Sequence, residues 1–576
     1  MATFPLASKK SPRSKPFPTT EILISPTEKM TLNPQAATQK GARKSDFPTM
    51  VWHTLLLFFI GLSIATGMRV AYDNAKGGWR QVLEPIMLQG DVLRWHAWAA
   101  LALTGLVAGY LAFLWRAKLS ARWKVSKVLM QSPNKPARWQ AINRLLYWLG
   151  LACFVVTVLT GIWLYFLPFL GFMSLVALIH EISTWLLVLY MLLHTVAQFM
   201  LGGIRQLIKV FNPRFDYLQA GLAMTVAFAA GTLAFLGMDR LAIRDFQLVA
   251  ATQAPVVDGR IDEEVWQKAP KVVVNTAHGY NVLDADTPVH VRGAVHGDRV
   301  YFLVEWPDTT ESYMRLPLKK TKDGWVQLKG DYDKADTIDY YEDKFAIALS
   351  PKNSPFAGSW HFGEDPLPGY PKPMQGRGYH ATLDGSYVDL WHWKASRTGP
   401  LGQSEDSHFG PAVKIDPTKK RYPAGYGSDP KTGGYKDNFV KKDGKIYPKY
   451  LPKDPKATFA RLGGPALTPN DSHPSHYSMF IEDTVPYQPE LDDYPEGTLL
   501  PSLFLESKLQ GDGGDVDTVG TWSDGWWHLE FSRKFDTQQK RDVAIQDGIY
   551  LWFAAFNHNQ TRHSWHVLPV RLRLPQ

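Results

Sequence analysis

Four histidines, His53, His96, His180 and His194, lie inside apolar stretches of the N-terminal third of a 576-residue chain. A neutral imidazole is a metal ligand, and an ionisable side chain in hydrocarbon is costly enough to mark a functional position. His180 and His194 share one apolar run, so a helix of 3.6 residues per turn carries both on nearly one face, about 21 Å apart along its axis. That spacing suits two flat iron-bearing macrocycles at different depths, each taking one imidazole from this helix and one from another. Gly61, Gly67, Gly105, Gly109 and Gly161 leave room for flat groups beside the backbone.

Five apolar runs must position these side chains: Val51 to Thr66, Trp95 to Trp115, Leu145 to Leu167, Ser174 to Leu201 and Leu218 to Met238. Each approaches or exceeds the roughly 20 residues that span a bilayer. The flow from Leu145 to Ile179 is divided at Pro168 and the following Gly171, because proline breaks a helix and glycine ends one. The tail before the first run carries Lys9, Lys10, Arg13, Lys15, Lys40, Arg43 and Lys44. The loop after the second carries Arg116, Lys118, Arg122, Lys124, Lys127, Lys135 and Arg138 and no acid. The positive-inside rule places both in the cytoplasm, and five spans then deliver everything after Met238 to the periplasm of a bacterial inner membrane. No apolar core of signal-peptide length is expected in the first 45 residues.

The net charge of +9 is concentrated in those flanks, beside anionic lipid, and does not point to nucleic acid. Cys153 is the single cysteine, which excludes intrachain disulfides, cysteine-held Fe–S clusters and haem attachment through Cys-x-x-Cys-His. Depth pairs His96 with His180 for an outer b-type haem and His53 with His194 for an inner one. Glu181, beside His180, must pair, be wetted or be protonated; Arg69 and Arg94 are its candidate partners, or contacts for haem propionates. A quinone-linked proton relay is a second role for Glu181.

This arrangement, over about residues 45–210, resembles the di-haem cytochrome b anchors of respiratory formate dehydrogenase and nickel-iron hydrogenase. In that family the first and second helices give one ligand each, and the fourth gives two.

The rest of the chain reads differently. VHVRGAVHGDRVYFLVEW, GWWHLEFSRKF, GIYLWFAAFNHN and HVLPVRLRL alternate with period two between Gly, Asp and Asn turns. They predict antiparallel strands, enough of them for an all-β sandwich over residues 250–576. Between Ser396 and Ser478 the sequence turns to Gly, Pro, Tyr and Lys without periodicity, and is expected to be a loop-rich insert serving as a cover or docking surface. The expected division is a disordered basic tail over 1–47, a transmembrane bundle over 48–240, and the sandwich.

The opening APVVDGRIDEEVWQKAP, the stretch EWPDTTESYMRLPL, the strand DYYEDKFAIALS, DLWHWKAS and the late FSRKF are similar to the haem-binding domain related to the gamma subunit of ethylbenzene dehydrogenase. The resemblance implies one further b-type haem held by a methionine and a lysine, which by motif position are Met314 and Lys394. A thioether suits haem iron, and a lysine can ligate once burial removes its proton. His392 shares Lys394's strand face and competes with it; Met374 and Met479 compete with Met314. DGRIDEEVW also opens carbohydrate-binding sandwiches.

The sequence therefore predicts a membrane-anchored electron-transfer protein carrying haem b, two in the membrane and a third outside. Its expected partners are the membrane, quinone or quinol as substrate, and a periplasmic cytochrome or oxidoreductase, which would make it a quinol:acceptor oxidoreductase component. Two alternatives stay open: a redox anchor with a haem-free binding or sensor module, and a fused gamma and anchor subunit of a molybdenum oxidoreductase. No Ser-His-Asp order, phosphate loop or His-Glu-x-x-His motif gives a competing catalytic site.

Overall fold

The computed structural model describes residues 47–73, 90–116, 130–167, 170–208, 217–277, 286–329, 336–353, 385–414, 423–466 and 472–576, with isolated positions omitted at 338, 474, 562 and 567 and a few described between these stretches. The basic tail and Met374 lie outside them. Five helices come first: α1 Phe47–Asp73, α2 Val92–Arg116, α3 Lys135–Phe166, α4 Met173–Ile208 and α5 Tyr217–Ala242. Four of these, α1 to α4, are long and apolar enough to cross a membrane. Each begins or ends where the sequence predicts, within a turn or two. Pro136 sits in the first turn of α3, where its missing N–H costs nothing. The α3–α4 connection turns through Gly171 and Phe172, both with positive φ. Near its far end α4 is interrupted at Gly202 and Gly203, the latter at φ 63°, a conformation glycine adopts without a Cβ penalty.

Small residues set the helix pairing. Gly109 lies under Trp52, whose indole donates to the Leu106 carbonyl at 2.9 Å and ties α1 to α2. Gly150 lies under the Tyr190 ring, and Thr157 donates to Ser183 at 2.7 Å, joining α3 to α4. The fifth helix packs on the bundle as well: Gly231 faces Ala102, and Trp98 donates to Thr232 at 3.0 Å, joining α5 to α2.

A 13-stranded sheet follows. Its strands are β1 Arg244–Gln247, β2 Val249–Ala250, β3 Val272–Ala277, β4 Asp286–His296, β5 Arg299–Pro307, β6 Lys344–Ser350, β7 Val388–Lys394, β8 Gln403–Phe409, β9 Tyr426–Ser428, β10 Val516–Ser523, β11 Trp526–Lys534, β12 Tyr550–Phe556 and β13 Val570–Arg573. The order is β1-β13-β12-β6-β7-β8-β10-β11-β5-β4-β2, with β9 added to β8 and β3 to β4. Its two edges, β1 and β2, are consecutive in the chain and separated only by Leu248, so the sheet folds back on itself and nearly closes. Inside lie Phe302, Trp306, Phe345, Trp391, Trp393, Trp527 and Phe553, all essentially inaccessible. Burial of that much aromatic surface is the main force holding the two layers together.

The stretch expected as loop, 396–478, is corrected. It supplies β8, a central strand, as well as β9, the short strands Thr432–Asp437, Phe439–Lys442, Lys445–Pro448 and Tyr450–Pro452, and the helix Pro455–Leu462. The reason is chemical: β8 reads Gln-Ser-Glu-Asp-Ser-His-Phe and is buried through its first six residues. Its burial is balanced by ion pairs and hydrogen bonds, so no hydrophobic alternation announces it.

The bundle meets the sheet at one end. Leu568 of the β domain is buried with Ala97 at the start of α2, Tyr165 and Phe166 at the end of α3, and Phe235 near the end of α5.

Candidate functional site

His96 on α2 and His180 on α4 face each other, their ring centres 6.2 Å apart with planes at 83°. Two imidazoles bound trans to one metal, with bonds of about 2.0–2.1 Å, place their ring centres about 6 Å apart. The surroundings of the two rings match. His96 Nδ1 lies 3.1 Å from the Ser63 carbonyl and 3.0 Å from the Thr66 hydroxyl; His180 Nδ1 lies 3.0 Å from the Thr157 carbonyl and 3.0 Å from the Thr160 hydroxyl. A carbonyl at Nδ1 fixes that nitrogen as the protonated one and leaves Nε2 as the basic donor toward a metal. A Cβ on Gly67 would come within 3.0 Å of His96 Cε1, and one on Gly161 within 3.2 Å of His180 Cε1. Both glycines let the Cε1 edge of an imidazole come up against the neighbouring helix. The donor set and geometry fit a bis-histidine haem.

The second pair lies toward the other end of the bundle. His53 on α1 and His194 on α4 lie near one another. Tyr147 and Tyr190 stand 5.2 and 5.7 Å from the His194 ring, and Tyr110 stands 6.0 Å from that of His53. His194 Nδ1 is buried and has no hydrogen-bond partner. Glu181 is exposed on α4, and Arg94 lies 5.6 Å over the Phe235 ring. Arg69 is fully buried.

In the β domain, Lys394 is buried at the end of β7 against the Glu405 carboxylate, with the Tyr435 hydroxyl 3.5 Å away. Burial, and then the cations Arg397 and Lys431, push its amine well below the usual ammonium range. Glu405 already holds Lys431 at 2.5 Å, so a proton on Lys394 is not required to neutralise it. Met314 is fully buried, but among Leu462, Tyr477 and Leu499. One hydroxyl links the two neighbourhoods: Ser396 donates to the Tyr313 carbonyl at 2.5 Å and accepts from the Tyr477 amide at 2.9 Å. Met479 packs in a third cluster with Leu318, Trp325 and Leu451.

His392 is stacked on Phe556 at 5.4 Å, and its buried Nε2 has no partner. Burial, then Lys394 and Lys344, hold it well below the normal imidazole range, and therefore neutral. The floor beneath it is Ala346 and Ala554, the residues in register with it across β6 and β12.

DGRIDEEVW has a structural explanation. The Asp258 and Gly259 amides and the Trp266 indole all donate to Glu530 on β11, at 3.1, 2.9 and 2.9 Å. The segment thereby covers the outer face of β5, where Trp266 packs on Tyr301 and Leu303.

Fold and site together define a multi-pass membrane protein with a histidine-paired helical bundle and a large β domain. The chain belongs to the family described as ethylbenzene dehydrogenase, whose model matches residues 263–568, and its N-terminal part matches prokaryotic cytochrome b561 over residues 44–212. The bundle is thus a membrane b-type cytochrome of the electron-transfer class. No curated protein matches the chain. Among solved structures, a carbohydrate-binding protein from Bacteroides uniformis is 7% identical, with TM-score 0.24, covering 58% of this chain and 100% of its own. A carbohydrate binding module family 9 protein from Caldicellulosiruptor kristjanssonii, solved with glucose, is 9% identical, with TM-score 0.21, covering 57% and 95%. Both scores are too low to define a shared fold.

Proposed function

We propose that this chain carries electrons between the quinone pool and a periplasmic redox partner. His96 with His180 would hold the iron of one membrane haem, and His53 with His194 that of the other. A third b-type haem in the β domain would take Lys394 and Met314, with His392 as the competing ligand. Haem iron supplies reversible one-electron transfer, and the protein supplies ligands, spacing and electrostatics.

The observation that carries this reading is the 6.2 Å opposition of His96 and His180 at the end of the bundle that packs on the β domain. It gives the electron path an order: inner pair, outer pair, β domain. The tyrosines around His53 and His194 make that end the candidate quinol site. The positive-inside rule places this end at the cytoplasmic face of the inner membrane. Outward electron flow is then favoured by the membrane potential, by ~2.3 kcal/mol per 100 mV for a full crossing.

The test is haem content and the reduced-minus-oxidised spectrum of the purified full chain and four alanine variants. Three b haems are expected per chain. His96→Ala and His180→Ala should each remove the same haem, and His53→Ala and His194→Ala another. Full haem content in any of the four, or two variants of one pair losing different haems, overturns the assignment. Two haems in the wild-type chain, both lost through these histidines, would favour a haem-free outer module.

A further inference from the structure

Far from the histidines, four carboxylates surround one guanidinium inside the β domain. Arg533 on β11 is fully buried, 2.5 Å from Asp389 on β7, 3.4 Å from Asp406 on β8 and 3.7 Å from Asp542. Its other nitrogen donates to the Val543 carbonyl at 2.6 Å, and its plane lies 4.8 Å over Trp391. Asp515, in the Gly-Asp-Gly-Gly-Asp turn ahead of β10, completes the group: oxygens of Asp406, Asp515 and Asp542 lie within 4.8 Å of one another.

The charges do not balance. Four carboxylates face one cation, and the nearby Arg299 and Arg541 are engaged with Asp517 at 2.6 Å and Asp429 at 3.5 Å. One oxygen on each of Asp389, Asp406, Asp515 and Asp542 is buried without any hydrogen-bond partner, although Asp389 and Asp406 are 0% exposed. Burying such oxygens unsatisfied is expensive, and burying several like charges together more so. A positive charge placed among these oxygens would relieve that cost.

We propose that Asp406, Asp515 and Asp542 bind a calcium-type divalent cation, with Arg533 and Asp389 holding the carboxylates in place. The donor set is all oxygen, with no imidazole or thiolate, which selects hard cations over transition metals. Oxygens this close can share one ion at about 2.3–2.6 Å. The ion would staple three separate pieces of chain: β8, the turn at Asp512–Gly514 and the segment following β11. This site stands independently of the haem reading.

The full chain is purified in detergent without chelator and its metals are counted. About one calcium per chain is expected, removed by EGTA. Returning Ca²⁺ to the stripped protein should raise the unfolding midpoint of the β domain by about 5 °C. Tb³⁺ should bind in its place with emission sensitised by Trp391. Asp515→Asn and Asp542→Asn should each weaken the Ca²⁺ response at least tenfold; if either variant fails to fold, the wild-type titration decides. Absence of bound divalent metal together with an unfolding midpoint indifferent to Ca²⁺, Mg²⁺ and EGTA overturns the proposal.

Discussion

Trp266 donates its indole N–H to Glu530 at 2.9 Å across 264 positions of sequence, clamping the segment that follows the membrane bundle onto the sheet. A hydrogen bond to a buried acceptor contributes about 1–2 kcal/mol. Trp266→Phe should therefore lower stability by about that amount plus lost packing, whereas Gly259→Ala should cost more. At Gly259 φ is +81° and a Cβ would approach Thr521 Cγ2 to 2.6 Å. Denaturant titration of the two variants checks this. A harmless Gly259→Ala would mean that the clamp is not formed.

Asp308 and Asp343 form a second buried acidic pair, outside the membrane segments. Burial raises Asp308 to about 7, and burial followed by Asp308 raises Asp343 well above the carboxylate range. A carboxyl whose folded value exceeds its unfolded one stabilises fully below the unfolded value, and that stability is lost as pH rises through the folded one. The unfolding midpoint should thus fall between pH 5 and 8. Asp308→Asn, which can still accept from Asn557 in place of the 3.1 Å bond, should flatten the fall. A slope that is unchanged in the variant would assign the dependence elsewhere.

The ligand proposed for a β-domain haem is tested by two substitutions. Lys394→Ala should change the spectrum of one haem and leave the bundle haems intact, because a neutral amine is a strong-field ligand that methyl cannot replace. His392→Ala should leave it unaltered. The reverse pattern makes His392, with its unpartnered Nε2, the ligand.

Topology follows from the basic loops. A reporter active only in the periplasm should be active when fused after Gln576 and silent when placed at Ser126. Activity at Ser126 alone would put the β domain in the cytoplasm and break the electron path.

The helices were legible because lipid demands long apolar runs, and the histidines because they and Glu181 are the only His, Asp, Glu, Lys or Arg residues in those runs. The approach of His96 to His180 was foreseeable from depth alone, since each lies near the start of its helix. The polar strand β8 was not legible: Glu405 and Asp406 are buried only because Lys394, Lys431 and Arg533 arrive from elsewhere in the chain. The acidic cluster was missed for the same reason, although Gly511 to Asp517, with its three aspartates, was a visible signal. Met314 could be named by resemblance, but its packing with Leu462 and Leu499 joins residues too distant for any periodicity to reveal.

The near-closure of the sheet bears on how the protein is made. β1 leaves α5 almost at once, yet its partner is β13: Asp245 pairs with Arg571 at 2.7 Å over 326 positions. During synthesis the first edge emerges just after α5 and must wait, unpaired, through the translation of nearly the whole domain. Long-range pairings of this kind are slow, and waiting edges invite the wrong neighbour. The seam also lies just beyond the end of α5, so a β domain that failed to zip would remain tethered to the helical bundle as an open sheet within reach of its own copies.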